Sequence, residues 1–136
     1  MSSLNAQNEL ASEMSKLVSR TEKYEYLMDA GRKLRIPDES LKSSDNLIPG
    51  CQSRVWFKAV REGGRIRFYA DSDSLITKGI ISLLLRVYDN RKPGEIVSAD
   101  LNFLSATGLN RQLSPVRANG ARTILKRMQI SASELM

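Results

Sequence analysis

The sequence predicts an α+β domain in which helices cover a small antiparallel sheet. Three observations predict it. Residues 53–71 alternate apolar and polar positions around a Gly63-Gly64 pair, the pattern of a hairpin. Segments with helical spacing flank that hairpin on both sides. The chain's 136 residues suit one compact unit, 1–136, with no internal repeat or linker to divide it.

The elements follow in order. Residues 4–18 place Leu4, Leu10, Ala11, Met14, Leu17 and Val18 near helical spacing. A break at Ser19-Arg20-Thr21-Glu22 offers Thr21 as an N-cap, and a second helix runs to Leu34 with Tyr24, Leu27, Met28 and Gly31 on one face. Ile36-Pro37-Asp38 ends it, because a residue before proline resists the helical region. Residues 42–50 read as loop, closed by Pro49-Gly50, which has the residues of a type II turn. Ser53, Val55, Phe57 and Ala59 then alternate with Arg54, Trp56, Lys58 and Val60 as a first strand. Arg61-Glu62-Gly63-Gly64 connects it to a second strand, 65–71. Residues 74–89 form the strongest helix, with Leu75, Ile76, Gly79, Ile80, Leu83, Leu84 and Val87 as its stripe. Asp71, Ser72 or Asp73 would cap it equally well. A short segment after Pro93, a brief helix over 100–106 closed by Gly108, and a last helix over 119–130 complete the chain.

Composition excludes several classes of chemistry. There is no histidine and only one cysteine, Cys51. Cys–His catalysis therefore has no base within the chain. A zinc site lacks its usual ligands, and an iron–sulfur cluster lacks its four thiolates. No apolar run approaches the ~18–20 residues of a membrane span, and the first residues lack the basic flank and apolar stretch of a secretory signal. With no possible intrachain disulfide, a reducing cytoplasm is the expected location. The balance of 21 Lys+Arg against 15 Asp+Glu gives +6. That charge suits nucleic acid or an acidic protein, but RNA-binding aromatic signatures are missing and aromatics make up 6%.

Cys51 sits in Ile48-Pro49-Gly50-Cys51-Gln52-Ser53. A lone cysteine is commonly an inert buried filler. Here its neighbours are polar or turn-forming, and a loop–strand junction presents a thiol to partners. Arg54 is near enough in sequence to favour a thiolate. Thiol exchange needs an accessible thiolate and no dedicated proton relay, so the missing histidine fits a protein whose partner supplies the machinery.

The segment Leu47-Ile48-Pro49-Gly50-Cys51-Gln52-Ser53-Arg54-Val55-Trp56 resembles the signature of the SufE/CsdE family of sulfur-acceptor proteins. Further segments match in order: Glu22-Lys23-Tyr24 with Gly31-Arg32, Asp71-Ser72-Asp73 with Lys78-Gly79, Tyr88-Asp89 with Pro93 and Ile96-Val97, and residues 113–120. The resemblance implies a sulfur carrier, not an enzyme. It would take persulfide sulfur onto Cys51 from a PLP-dependent cysteine desulfurase of the SufS/CsdA type and stimulate that enzyme. It would then deliver sulfur to a SufBCD-type scaffold for iron–sulfur cluster assembly. The chain itself would need no cofactor and no metal, PLP belonging to the desulfurase, and neither nucleic acid nor membrane would be a partner.

By the same resemblance Asp73 lies near the cysteine loop, and Arg117 and Asn119 support that loop or face a partner. Cap and turn chemistry before the last helix accounts for the latter two equally well. Gly50 serves loop geometry, while Gln52 and Ser53 either hydrogen-bond the sulfur or start the strand. Because a persulfide is easily reduced, the Cys51 side chain is expected to turn inward at rest, with Ile48 and Val55 lining its pocket. The alternative is a basic interaction module, binding protein or nucleic acid, in which Cys51 is inert.

Overall fold

The computed structural model describes residues 2–36, 38–99 and 102–136. Its centre is the antiparallel pair β1 (Val55–Glu62) and β2 (Arg65–Ser72), in register from Val55↔Ser72 to Glu62↔Arg65 around a two-residue Gly63-Gly64 turn. Alternation sends Val55 and Phe57 of β1, with Ile66, Phe68 and Ala70 of β2, to one buried face. The Phe57 and Phe68 rings meet there at 5.6 Å between centroids. The first strand starts at Val55, two residues later than its alternation suggests, because residues 51–54 are held in the loop before it.

Helix α3 (Leu75–Tyr88) packs on this sheet, and its stripe of Ile80, Leu83, Leu84 and Val87 is buried as expected. Ser74 caps it, accepting from the Thr77 N–H at 3.3 Å. The cap is thus none of Asp71, Ser72 or Asp73, which are engaged elsewhere. Helix α2 (Arg20–Arg32) crosses α3 closely. A Cβ added at Gly79 would lie 2.1 Å from the Leu27 carbonyl oxygen, and one at Gly31 would lie 2.6 Å from that of Leu75. Those two glycines set the distance between the helices.

The boundary between the first two helices also differs from the sequence reading. Ser19, not Thr21, caps α2, and a reciprocal box with Glu22 satisfies both Ser19 and the first turn. Helix α1 (Ser3–Ser15) stops before Leu17, and Val18 is 83% exposed. Periodicity alone extended the helix through a segment that the capping box reserves for the start of the next.

Beyond α3, α4 (Pro93–Val97) and α5 (Phe103–Thr107) are single turns. The expected start of the latter at Asp100 lies outside the described residues. Helix α6 (Pro115–Glu134) is longer than its apolar spacing implied. Ser114 is its cap and Pro115 its first residue, an arrangement in which proline's missing N–H costs nothing. Ile124, Leu125 and Met128 join the same continuous core as the sheet and α3. Fully burying each such side chain contributes about 1.5–3 kcal/mol. No helix among the described residues is long and apolar enough to cross a membrane.

Candidate functional site

The cysteine stands at the apex of a short loop that the fold closes from two sides. Before it, the Ile48 N–H donates to the Val55 carbonyl at 2.9 Å, and Leu47 bridges to Trp56. The chain therefore folds back on the start of β1, leaving residues 49–54 as the loop. Gly50 turns it with φ of 86°, the left-handed conformation that the third position of a type II turn requires.

After the cysteine, Arg54 is clasped by the end of β2. Its N–H donates to Asp73 Oδ1 at 3.1 Å, and the Asp73 N–H donates back to its carbonyl at 3.3 Å. The Ser72 hydroxyl donates to that same carbonyl at 2.7 Å. Asp71 is 1% exposed and lies between Lys78 at 3.3 Å and Lys42 at 3.7 Å. The three residues of the Asp-Ser-Asp motif thus each fasten a different piece: Asp71 ties the 42–50 segment to α3, while Ser72 and Asp73 hold the exit of the cysteine loop.

Cys51 itself is half-buried and packs against the core. It faces a cavity of about 20 Å³ lined by Ser53, Val55, Thr77 and Ile80 on one side and by Val116, Arg117, Ala121 and Ile124 of α6 on the other. A single water-sized group needs about 10–15 Å³, so the space admits one further atom of sulfur size beside the thiol. Burial pushes the Cys51 thiol up from its ordinary value, and no other cause acts on it. The Arg54 side chain is exposed and gives the thiol no help as a thiolate. Among the described residues no group of acidic or cysteine side chains is arranged to hold a metal ion.

The other predicted residues divide. Gln52 and Ser53 both line the cavity, and the Ser53 hydroxyl accepts from Thr77 Oγ1 at 3.4 Å. Arg117, half-buried in the first turn of α6, lines it too. Asn119 does not; its exposed side chain accepts from Arg122 at 3.1 Å, a local contact on α6. Val55 lines the cavity as expected, whereas Ile48 is buried in the core beside it. Thr77, Ile80, Gly120, Ala121 and Ile124 were not expected as site residues; Ile80 was expected only as part of the apolar stripe of α3. The one signal available was Thr77, a polar residue set within the apolar stripe of α3.

The helix-covered hairpin is a fold shared with a small protein already solved. The solution structure of a hypothetical protein from Thermus thermophilus superposes with a TM-score of 0.80 at 19% identity, covering 96% of this chain and 95% of that one. The family model SufE, described as an Fe-S metabolism associated domain, matches residues 8–132, and the chain belongs to that family. Among its relatives is the cysteine desulfuration protein SufE of Wigglesworthia glossinidia brevipalpis, 36% identical over 117 residues, 85% of this chain and 81% of that protein. An uncharacterized SufE-like protein of Synechocystis is 39% identical over 110 residues, 81% of this chain and 69% of its own length. The Arabidopsis thaliana SufE-like protein 1, chloroplastic/mitochondrial, is 40% identical over 114 residues, 83% of this chain and 31% of its length.

Proposed function

We propose that the protein is a cytoplasmic sulfur carrier that accepts a sulfane sulfur on Cys51 from a PLP-dependent cysteine desulfurase of the SufS/CsdA type. It stimulates that enzyme and passes the sulfur to an iron–sulfur scaffold of the SufBCD type. The observation that carries this reading is a lone thiol, held on a clamped loop, beside a cavity of one-atom size. Family membership and the name of the Wigglesworthia relative support it.

The chemistry is thiol exchange with an added sulfur. The Cys51 thiolate attacks the outer sulfur of the desulfurase persulfide and forms a new S–S bond. The old S–S bond breaks, and the desulfurase cysteine leaves as a thiolate that takes up the proton Cys51 gave away. No net oxidation occurs, so neither partner needs an external electron acceptor. A lower leaving-group pKa speeds the step. The buried thiol is mostly protonated near neutral pH, which keeps it quiet until a partner opens the loop. When the loop closes again, the cavity shelters the outer sulfur from reductants.

Incubation with the desulfurase and cysteine, followed by intact mass without reductant, tests the proposal. Wild type gains the mass of one sulfur, and Cys51→Ser gains none. A basic module with an inert cysteine predicts no mass gain in either protein, under conditions where the desulfurase turns over.

A further inference from the structure

A second cavity lies next to the N-terminus of α6, whose first turn lines the cysteine site. It is a cleft of about 380 Å³ between the start of α2 and residues 111–114, within the range of roughly 300–1,000 Å³ typical of binding sites. Arg20, Lys23 and Arg111 line it, and among the described residues no carboxylate does. The Arg20 guanidinium is placed by the Tyr24 ring, 5.8 Å from its centroid. The nearby acid Glu22 is occupied, its side chain accepting from the Ser19 N–H. Among the described residues no ion pair neutralises these three cations. They stand, moreover, by the N-terminus of α6, the positive end of its dipole.

The cleft and the cysteine cavity have no lining residue in common, but their walls are close neighbours along the chain. Ser114 lines the first, and Val116 and Arg117, two and three residues on, line the second. On the other side Leu27 lines the cleft and packs its backbone on Gly79, the residue before Ile80 of the cysteine cavity. The first turn of α6 thus runs from the cleft at Ser114 to the cysteine cavity at Val116 and Arg117. Between the two, Val116 is half exposed and offers an apolar contact.

We propose that the cleft is a second docking point for the sulfur donor, receiving an acidic segment of the donor's surface while Cys51 meets its persulfide. This rests on the reading of the protein as a desulfurase partner. The cleft's chemistry favours a peptide over a free anion. Gln112, which also lines it, has a buried amide oxygen with no hydrogen-bond partner among the described residues. A peptide segment brings carboxylates for the cations and, once the Gln112 side chain turns outward, an N–H donor for that oxygen. Inorganic phosphate brings mainly negative oxygens.

The test uses the full chain, the cysteine desulfurase of the same genome, and the paired reversal Lys23→Glu with Arg111→Glu. Binding and sulfur loading are measured across a salt series. A matched reversal, Lys33→Glu with Arg35→Glu, alters the net charge equally in a separate groove. Loss of two complementary charges weakens binding by about tenfold at low salt and flattens its salt dependence. The expected result is this weakening for the cleft pair alone, with loading recovered as desulfurase concentration rises. Equal weakening by both pairs, or wild-type affinity in the cleft pair, overturns the inference while leaving sulfur acceptance on Cys51 intact. Competition by inorganic phosphate beyond chloride at equal ionic strength overturns the peptide assignment. Failure of the wild type to gain sulfur or to bind overturns both proposals.

Discussion

Replacing Asp73 by alanine removes the side-chain half of the clasp on Arg54 and leaves the rest of the loop's closure in place. The lost contact is a hydrogen bond from the Arg54 N–H to a carboxylate oxygen at 3.1 Å. Hydrogen bonds to charged groups contribute about 1.5–3 kcal/mol. Both residues are exposed, so water takes over part of that bond, and the net loss is nearer ~1 kcal/mol. The Ser72 hydroxyl still holds the Arg54 carbonyl, and the Ile48–Val55 bond still closes the other side. The loss therefore falls on the opening of residues 49–54 and not on global unfolding. An opening equilibrium shifted by about 1 kcal/mol moves roughly fivefold. Alkylation of Cys51 by a small reagent, followed by mass at fixed pH, reads that equilibrium when opening precedes reaction. A rate about fivefold above wild type is expected, with an unchanged far-UV spectrum. An unchanged rate would mean that the thiol is already presented, and the account of the clasp would be wrong.

Three further outcomes follow from the same structure. The wild-type alkylation rate should keep rising with pH above the ordinary thiol midpoint of about 8.5, since burial raises the Cys51 value. The sign is fixed: the closed loop favours the neutral thiol, so its extra stability is full below the open-state value and is lost as pH climbs through the raised one. A midpoint below about 8 would refute the buried resting state. Gly79→Ala forces a methyl against the Leu27 carbonyl and should destabilise the fold by about 3 kcal/mol, read as a lower denaturant midpoint; a change under about 1 kcal/mol would show that α2 and α3 separate freely. Asp71→Ala removes the anion between Lys42 and Lys78, whose partly exposed ammoniums then turn to water, and should cost about 1–2 kcal/mol; chemical denaturation at neutral pH measures it, and an unchanged midpoint would show that Asp71 ties nothing together.

The residue types that make local structure were legible because their causes are local. Gly50 announced a positive φ, Gly63-Gly64 a tight hairpin, and the stripe of α3 a buried helical face. Each outcome is decided within a few residues. Where two local signals competed, the spacing misled. Helical periodicity carried α1 past Ser15, although the Ser19–Glu22 box already claimed the next turn for α2. The Asp-Ser-Asp motif looked like a choice of caps for α3. A cap is a local role, whereas the partners these residues take, Arg54, Lys42 and Lys78, depend on how β2 and the loop come together.

The sequence by itself singled out Cys51 as the candidate for covalent chemistry, since it is the only thiol and no histidine is present. The motif around it also determined the family. What only the tertiary structure decided is the state of that thiol. The walls of its cavity come from β1, α3 and α6, separated by up to about half of the chain, so no spacing rule reports them. The half-burial of the thiol is a property of those three packed elements and not of the residues beside the cysteine, so the sequence, which placed it at a loop–strand junction, left its shelter as an expectation.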